Sequence, residues 1–403
     1  HMVFLRATNK PISPNPGQTI HLPPHPDILP NPGTPLATTP KSPPTTLELK
    51  TMKKLPLGHP PISSYLFHAY PLSILAQENR YLPWFYNSHI QLFSFPGEEL
   101  KFYTHPFSTQ HEICHLYYQA CPLLDVQSID RDTLTPSAVE FIRWIKDRIE
   151  QGYYVQIDVD FYDLPNKPHY QCSHFIHEVL ISGYDDIEQV FSVSGYDEKG
   201  YYTTEPLSFA IVQKALSWNK EMYLQQVLHN DQQMPPWFAA AMQDRPRVFL
   251  YKYLGEQTTL LDISSINEQL DDYLLAHNTA ERYRSLARPR LGGTWGIGIY
   301  KILKEHLEVS GCGPTIFTPI IWRILWEHKK CMLGRLCLLE ARQILIRPLS
   351  KHWMGLVHQV NDLRLVLLRA QHRRPVAPTK RIEALNAIAD QEYELLVELQ
   401  SQL

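Results

Sequence analysis

Residues 174–206, HFIHEVLISGYDDIEQVFSVSGYDEKGYYTTEP, carry the strongest local signal in the chain. His177 opens an apolar run, Val179-Leu180-Ile181, that leads into Gly183-Tyr184-Asp185-Asp186. A second β-branched and aromatic run, Val190-Phe191-Ser192-Val193, follows at once. Two short apolar runs around a Gly/Asp turn predict a β-hairpin. Upstream, residues 153–161 alternate as a strand. Residues 137–151 form an amphipathic helix with Val139, Ile142, Ile145 and Ile149 on one face. Downstream, residues 206–218 read as a helix and 248–253 as a further strand, so an α+β domain is expected over residues 56–258.

The flanks read differently. Residues 11–44 hold 12 of the 33 prolines and few large apolar side chains. Burial cannot offset the ordering entropy of such a segment, and residues 1–55 are expected to be an extended or disordered tail, with a PxxP ligand as the alternative. Met52-Lys53-Lys54 would make a natural start. From residue 259 to 403 the pattern is mainly helical, with Ile321, Leu325, Met332, Leu336 and Leu339, then Leu385, Ile388, Leu395 and Leu399, at heptad-like spacing. At 403 residues and 44% hydrophobic composition the chain has room for two domains. A net charge of -3 argues against wholesale nucleic-acid binding. Six cysteines (Cys114, Cys121, Cys172, Cys312, Cys331, Cys337) fit reduced thiols of a cytoplasmic protein better than a disulfide scaffold. No apolar run approaches the roughly 18 residues of a spanning helix, so no membrane partner is expected.

Three further stretches combine with the hairpin: HAYPLSILAQENRYLPWFYNSHIQL (68–92), WGIGIYKILKEHL (295–307) and WEHKKCMLGRL (326–336). Together they resemble the butirosin-biosynthesis acyltransferase family and, more distantly, the bacteriocin-processing cysteine peptidases. The resemblance implies a papain-like α+β domain followed by a helical domain. It also implies transfer of an acyl group from a carrier-protein thioester to an amine, in the biosynthesis of nonribosomal peptides or related natural products. The partner would be an acyl or peptidyl carrier protein, and His177 the general base.

The expected cysteine nucleophile is missing. His68-Ala69-Tyr70-Pro71 stands in its place, and Tyr70 is the closest counterpart. Where the family has its orienting Asp this chain has Ser194-Gly195-Tyr196, which leaves Asp197 for the third role. A phenol with a pKa near 10 does not replace a thiolate by proximity alone. The candidate set is therefore His177, Tyr70 and Asp197, either as a modified catalytic site or as the remnant of one in a pseudoenzyme that binds a carrier protein or its cargo. Cys172 lies close in sequence, but on a regular strand it would diverge from His177.

His111-Glu112-Ile113-Cys114-His115 is a literal HExxH, which on a helix sets two imidazoles and a general base around zinc, with Glu140 as a third ligand. Its short flanks and the 19 histidines of the chain favour a chance match, so no metal is expected. Gly292-Gly293-Thr294-Trp295-Gly296-Ile297-Gly298 lacks the lysine of a phosphate loop and reads as a loop opening a helix at Ile299; no cofactor is expected. Residues 320–381 hold 13 Lys/Arg against three Asp/Glu. Arg323, Lys329, Lys330, Arg335 and Arg342 would form a basic face, either solvated or a dock for an acidic carrier protein.

Overall fold

The structure is a computed structural model that describes residues 52–96, 100–104, 117–134, 137–218, 221–222, 247–285, 292–309, 319–370 and 378–403. Most of the tail expected over 1–55 lies outside these residues. Its end does not behave as a tail: Met52–Lys54 is a strand, β1, paired antiparallel with residues 183–185.

A seven-stranded antiparallel sheet organises the first part of the chain. Its strands are β1, β4 (Leu124–Asp130), β5 (Tyr154–Asp160), β6 (Ile176–Asp185), β7 (Val190–Tyr196), β8 (Tyr202–Ser208) and β9 (Arg247–Tyr253), in the order β4-β9-β5-β6-β7-β8 with β1 on β6. A second small sheet joins β2 (Leu92–Ser94), β3 (Lys101–Phe102) and β10 (Thr294–Trp295). Helix α1 (Leu66–Leu75) and the short α2 (Leu82–Tyr86) precede them. Helix α3 (Ala138–Glu150) and α4 (Phe209–Ala215) complete this part. The rest is helical, in α5 (Ile263–Leu274), α6 (Ile299–Val309), α7 (Pro319–Ala341), α8 (Ser350–Ala370) and α9 (Pro378–Gln400). The architecture is thus an antiparallel sheet with helices, followed by a helical region.

The hairpin forms as expected, with one shift. β6 continues through Gly183, Tyr184 and Asp185, and the turn falls later, at residues 186–189. The register slips between Ile181 and Gly183, and β1 crowds Gly183: a Cβ there would lie 2.6 Å from the Lys53 carbonyl oxygen. Gly183 therefore serves strand approach rather than the turn. The region read as a helix from Pro206 begins instead as β8. Pro206 sits opposite Ser192 on this edge strand, where its missing N–H costs no ladder bond on the open side.

Helix α3 is set by a capping box: Ser137 Oγ accepts from the Glu140 N–H at 3.2 Å and donates to the Glu140 carboxylate at 2.7 Å. Of the face expected, Ile145 and Ile149 are fully buried and Ile142 half-buried, while Val139 is exposed and Phe141 takes its place in the core. Fully burying Ile145 and Ile149 contributes about 1.5–3 kcal/mol each.

Helix α7 ties the two parts together. The Glu327 carboxylate accepts from the Ser63 and Ser64 N–H groups, both at 3.1 Å, just before α1. His328 Nε2 donates to the Ile90 carbonyl at 2.7 Å. The Arg335 guanidinium donates to the Tyr86 and Ser88 carbonyls at the end of α2. The heptad positions Ile321, Leu325, Met332, Leu336 and Leu339 are all buried. At the helical core Lys329 and Glu392 form an ion pair fully out of solvent, with Tyr273 and Tyr300 donating to the same carboxylate at 3.0 and 2.5 Å.

Candidate functional site

The register of the sheet decides where the candidate residues point. Asp158 lies opposite Glu178, and Val159 opposite His177. Directly opposed residues share a face and neighbours along a strand alternate, so Glu178 and Asp158 face one way, His177 and Val159 the other. Helix α1 lies on the Glu178 side, where Ser73 Oγ meets the Tyr202 hydroxyl at 3.2 Å and Tyr202 shares a face with Ser194. The His177 side is that of Phe191, which packs on Phe209 of α4 at 4.6 Å. His177 thus points away from α1, whereas a general base acting with Tyr70 would have to face that helix. One residue of strand parity separates the two outcomes.

His177 is enclosed by Phe161 and Phe175, each 5.3 Å away between ring centres, and its Nδ1 accepts from the Glu178 N–H at 2.9 Å. Burial pushes its pKa below the usual imidazole value. Tyr70 is fully buried on α1 and donates to the Glu178 carbonyl at 2.9 Å, beyond the last paired residues of β6 and β7. Burial lifts its phenol well above the usual value, which leaves it a donor and not a nucleophile. Room for the hydroxyl comes from Gly195, where a Cβ would lie 3.4 Å from it and 3.7 Å from Lys167 Nζ. Asp197 works in the β7–β8 turn, its Oδ1 accepting from the Lys199 and Tyr201 N–H groups at 2.9 and 2.8 Å. No hydrogen bond joins Tyr70, His177 and Asp197 to one another.

The same end of the sheet holds groups with better geometry. The loop between β5 and β6 brings His174 against Asp160, buried at the end of β5, Oδ2 to Nδ1 at 2.5 Å, while Asp160 Oδ1 accepts from the Tyr162 and Phe175 N–H groups, both at 3.0 Å. Three bonds fix the carboxylate. The His174 ring stacks on Tyr162 at 4.5 Å and its side chain is 60% exposed. Because Nδ1 faces a carboxylate it carries the proton, and Nε2 presents a lone pair to solvent. Four residues apart on the same loop, His169 Nδ1 and Ser173 Oγ lie 2.7 Å from each other, and Cys172 is exposed beside them. Residues 170–175 are turn and loop, and β6 starts only at Ile176. Strand alternation, which set Cys172 apart from His177, therefore does not apply there. The sequence signal that could have found this site was the density of Asp160, His169, Cys172, Ser173 and His174 between two strands.

On the α1 side, Asp158 and Glu178 form a half-buried carboxyl pair. Burial pushes Asp158 up to about 6; burial and then the charge of Asp158 push Glu178 up to about 8. Gln156 donates to Glu178 at 2.8 Å and accepts from Tyr251 at 2.8 Å. Glu178 is thus a neutral acid near pH 7, held in place by an amide.

Two expectations need correction or restriction. The basic face over residues 320–381 does not exist as read: Lys329 and Arg335 are fully buried, the first against Glu392 and the second on backbone carbonyls. His111, Glu112 and His115 lie outside the described residues. Among the described residues no three His, Cys, Asp or Glu side chains are grouped to hold a metal ion, and no helix is long and apolar enough to cross a membrane. No protein-family model matches the chain, and no curated protein does.

Proposed function

We propose that the chain is an acyltransferase- or hydrolase-type accessory protein of peptide or related natural-product biosynthesis, acting on carrier-bound acyl groups, with His174 rather than His177 as its base. The observation that supports this is the Asp160–His174 pair, a carboxylate held by two backbone N–H groups behind an imidazole open to solvent. In the reaction the amine nitrogen adds to the thioester carbonyl as His174 Nε2 takes its proton. The carbon–sulfur bond then breaks, and the proton leaves with the thiol. Asp160 holds the tautomer and offsets the charge on the imidazolium. Incubation with an acyl-loaded carrier and an amine acceptor tests the assignment. His174→Gln and Asp160→Asn are expected to lower the rate about 10²–10⁴-fold while His177→Ala leaves it nearly unchanged. The reverse pattern would return the role to His177.

A second reading is a pseudoenzyme that binds a carrier protein or its cargo without turnover. It is favoured by the way Tyr70, His177 and Asp197 are each committed to structural bonds. Absence of transfer by the intact chain, with carrier binding retained, would select it. A zinc-hydrolase reading rests on His111, Glu112 and His115, outside the described residues, and on Glu140, which is held by Ser137 at the start of α3.

A further inference from the structure

Helix α7 carries Arg323, Trp326, Glu327 and Lys330 at successive i, i+3, i+4 and i+7 positions, hence on one face. Helix α8 packs beside it and adds Arg364. The half-buried Trp326 ring has Lys330 Nζ at 4.5 Å and the Arg364 guanidinium carbon at 4.9 Å from its centre. Arg323 lies close enough to Arg364 to disfavour its charge, after the burial that does so first. Two cations thus share one indole, and a third lies close to one of them.

Their counter-charge is inadequate. Glu327 is the one carboxylate acting on Arg364 among the described residues, and it is already shared by Arg323, Ser63 and Ser64. Arg323 is committed to Glu327, Ser63 and the Gly200 carbonyl. Lys330 has no hydrogen bond or ion pair among the described residues, and Arg364 gives only Nε and Nη2, both to Asn361. Two sets of donors therefore remain open over a rigid aromatic floor. Tyr201, 64% exposed at the β7–β8 turn, acts electrostatically on Arg364, and the neighbouring Gly200 carbonyl accepts from Arg323. Like charges held together without a partner are costly in a half-buried setting, and an anion with several oxygens relieves that cost.

We propose that Lys330 and Arg364, set on Trp326 and backed by Arg323, form a binding site for the phosphate of a phosphate ester. A dianionic phosphate matches these two cations, with Nη1 of Arg364 on one oxygen and Lys330 on another. The site is separate from the β5–β6 loop and does not rest on the function proposed above.

Calorimetric titration of the full chain with propyl phosphate, and with butyrate as a singly charged ligand of similar length, tests the site. Propyl phosphate is expected to bind at least about tenfold more tightly, with inorganic phosphate competing. Lys330→Gln and Arg364→Gln should each weaken it about tenfold or more, in line with loss of a charge-assisted bond. Arg342→Gln, an exposed cation beyond the other end of α7, should not. Melting curves confirm that each variant is folded. Equal affinity for the two ligands, or phosphate binding unchanged in both Lys330→Gln and Arg364→Gln, would overturn the proposal.

Discussion

Replacing Glu392 with alanine tests how the helical region is held. The wild-type carboxylate receives the Lys329 ammonium, the Tyr273 hydroxyl at 3.0 Å and the Tyr300 hydroxyl at 2.5 Å, all four residues buried. The variant strands an ammonium, which costs about 3–5 kcal/mol when a buried pair loses one partner. Each stranded hydroxyl adds about 1–3 kcal/mol unless it finds a new partner. Lys329 keeps a contact with His328 Nδ1 at 3.1 Å, which offsets part of this. The sum is about 5 kcal/mol or more, comparable with the whole stability of many domains. Urea denaturation is the assay, read as a drop in midpoint at constant slope. The double variant Lys329→Met/Glu392→Gln removes both charges, keeps one acceptor for the phenols, and should lose less than the two single losses added together. A loss below about 1 kcal/mol for Glu392→Ala, or strict additivity in the double variant, would refute the reasoning.

Two other perturbations follow from the sheet. Glu178 titrates at about 8 when folded against an ordinary 4.5, so the folded state binds the extra proton between those values and stability falls as pH rises through that window. Urea midpoints at pH 5 and pH 8 should show this fall in the wild type and a much smaller one in Glu178→Gln; equal falls would mean that Glu178 is not the titrating group. Gly183→Ala would press a Cβ to 2.6 Å from the Lys53 carbonyl oxygen and should detach β1, lowering stability by roughly 1–3 kcal/mol. Hydrogen exchange at Lys53 and Lys54 should then rise; unchanged exchange would show that β1 tolerates the methyl.

Much of the fold is legible in the sequence because its signals are local. The two runs either side of residues 186–189 pair as read, the Ser137/Glu140 cap starts α3, and the heptad residues of α7 are buried. What fails depends on partners far along the chain. A count of Lys and Arg over residues 320–381 cannot reveal that Glu392 neutralises Lys329 from another helix, or that Arg335 is consumed by carbonyls near residue 87. Pro206 reads as a helix start until β7 lies beside it. The candidate site shows the same limit: His177 is visible in the sequence, but only the pairing of β5 with β6 says which face it takes. The Asp160–His174 pair spans a loop with no period to read.

The grip of α7 on the start of α1 bears on modularity. Glu327 and His328 share one turn of the helix and Arg335 lies about two turns further on, and each satisfies backbone groups between Ser63 and Ile90. The sheet-bearing half therefore lacks its own closure: cut after residue 258, it would expose those amides and carbonyls with nothing to replace the lost side chains. Swapping in another helical half would succeed only if the newcomer supplied an acid, an imidazole and a guanidinium in the same phase. Neither half can be exchanged without carrying these contacts with it.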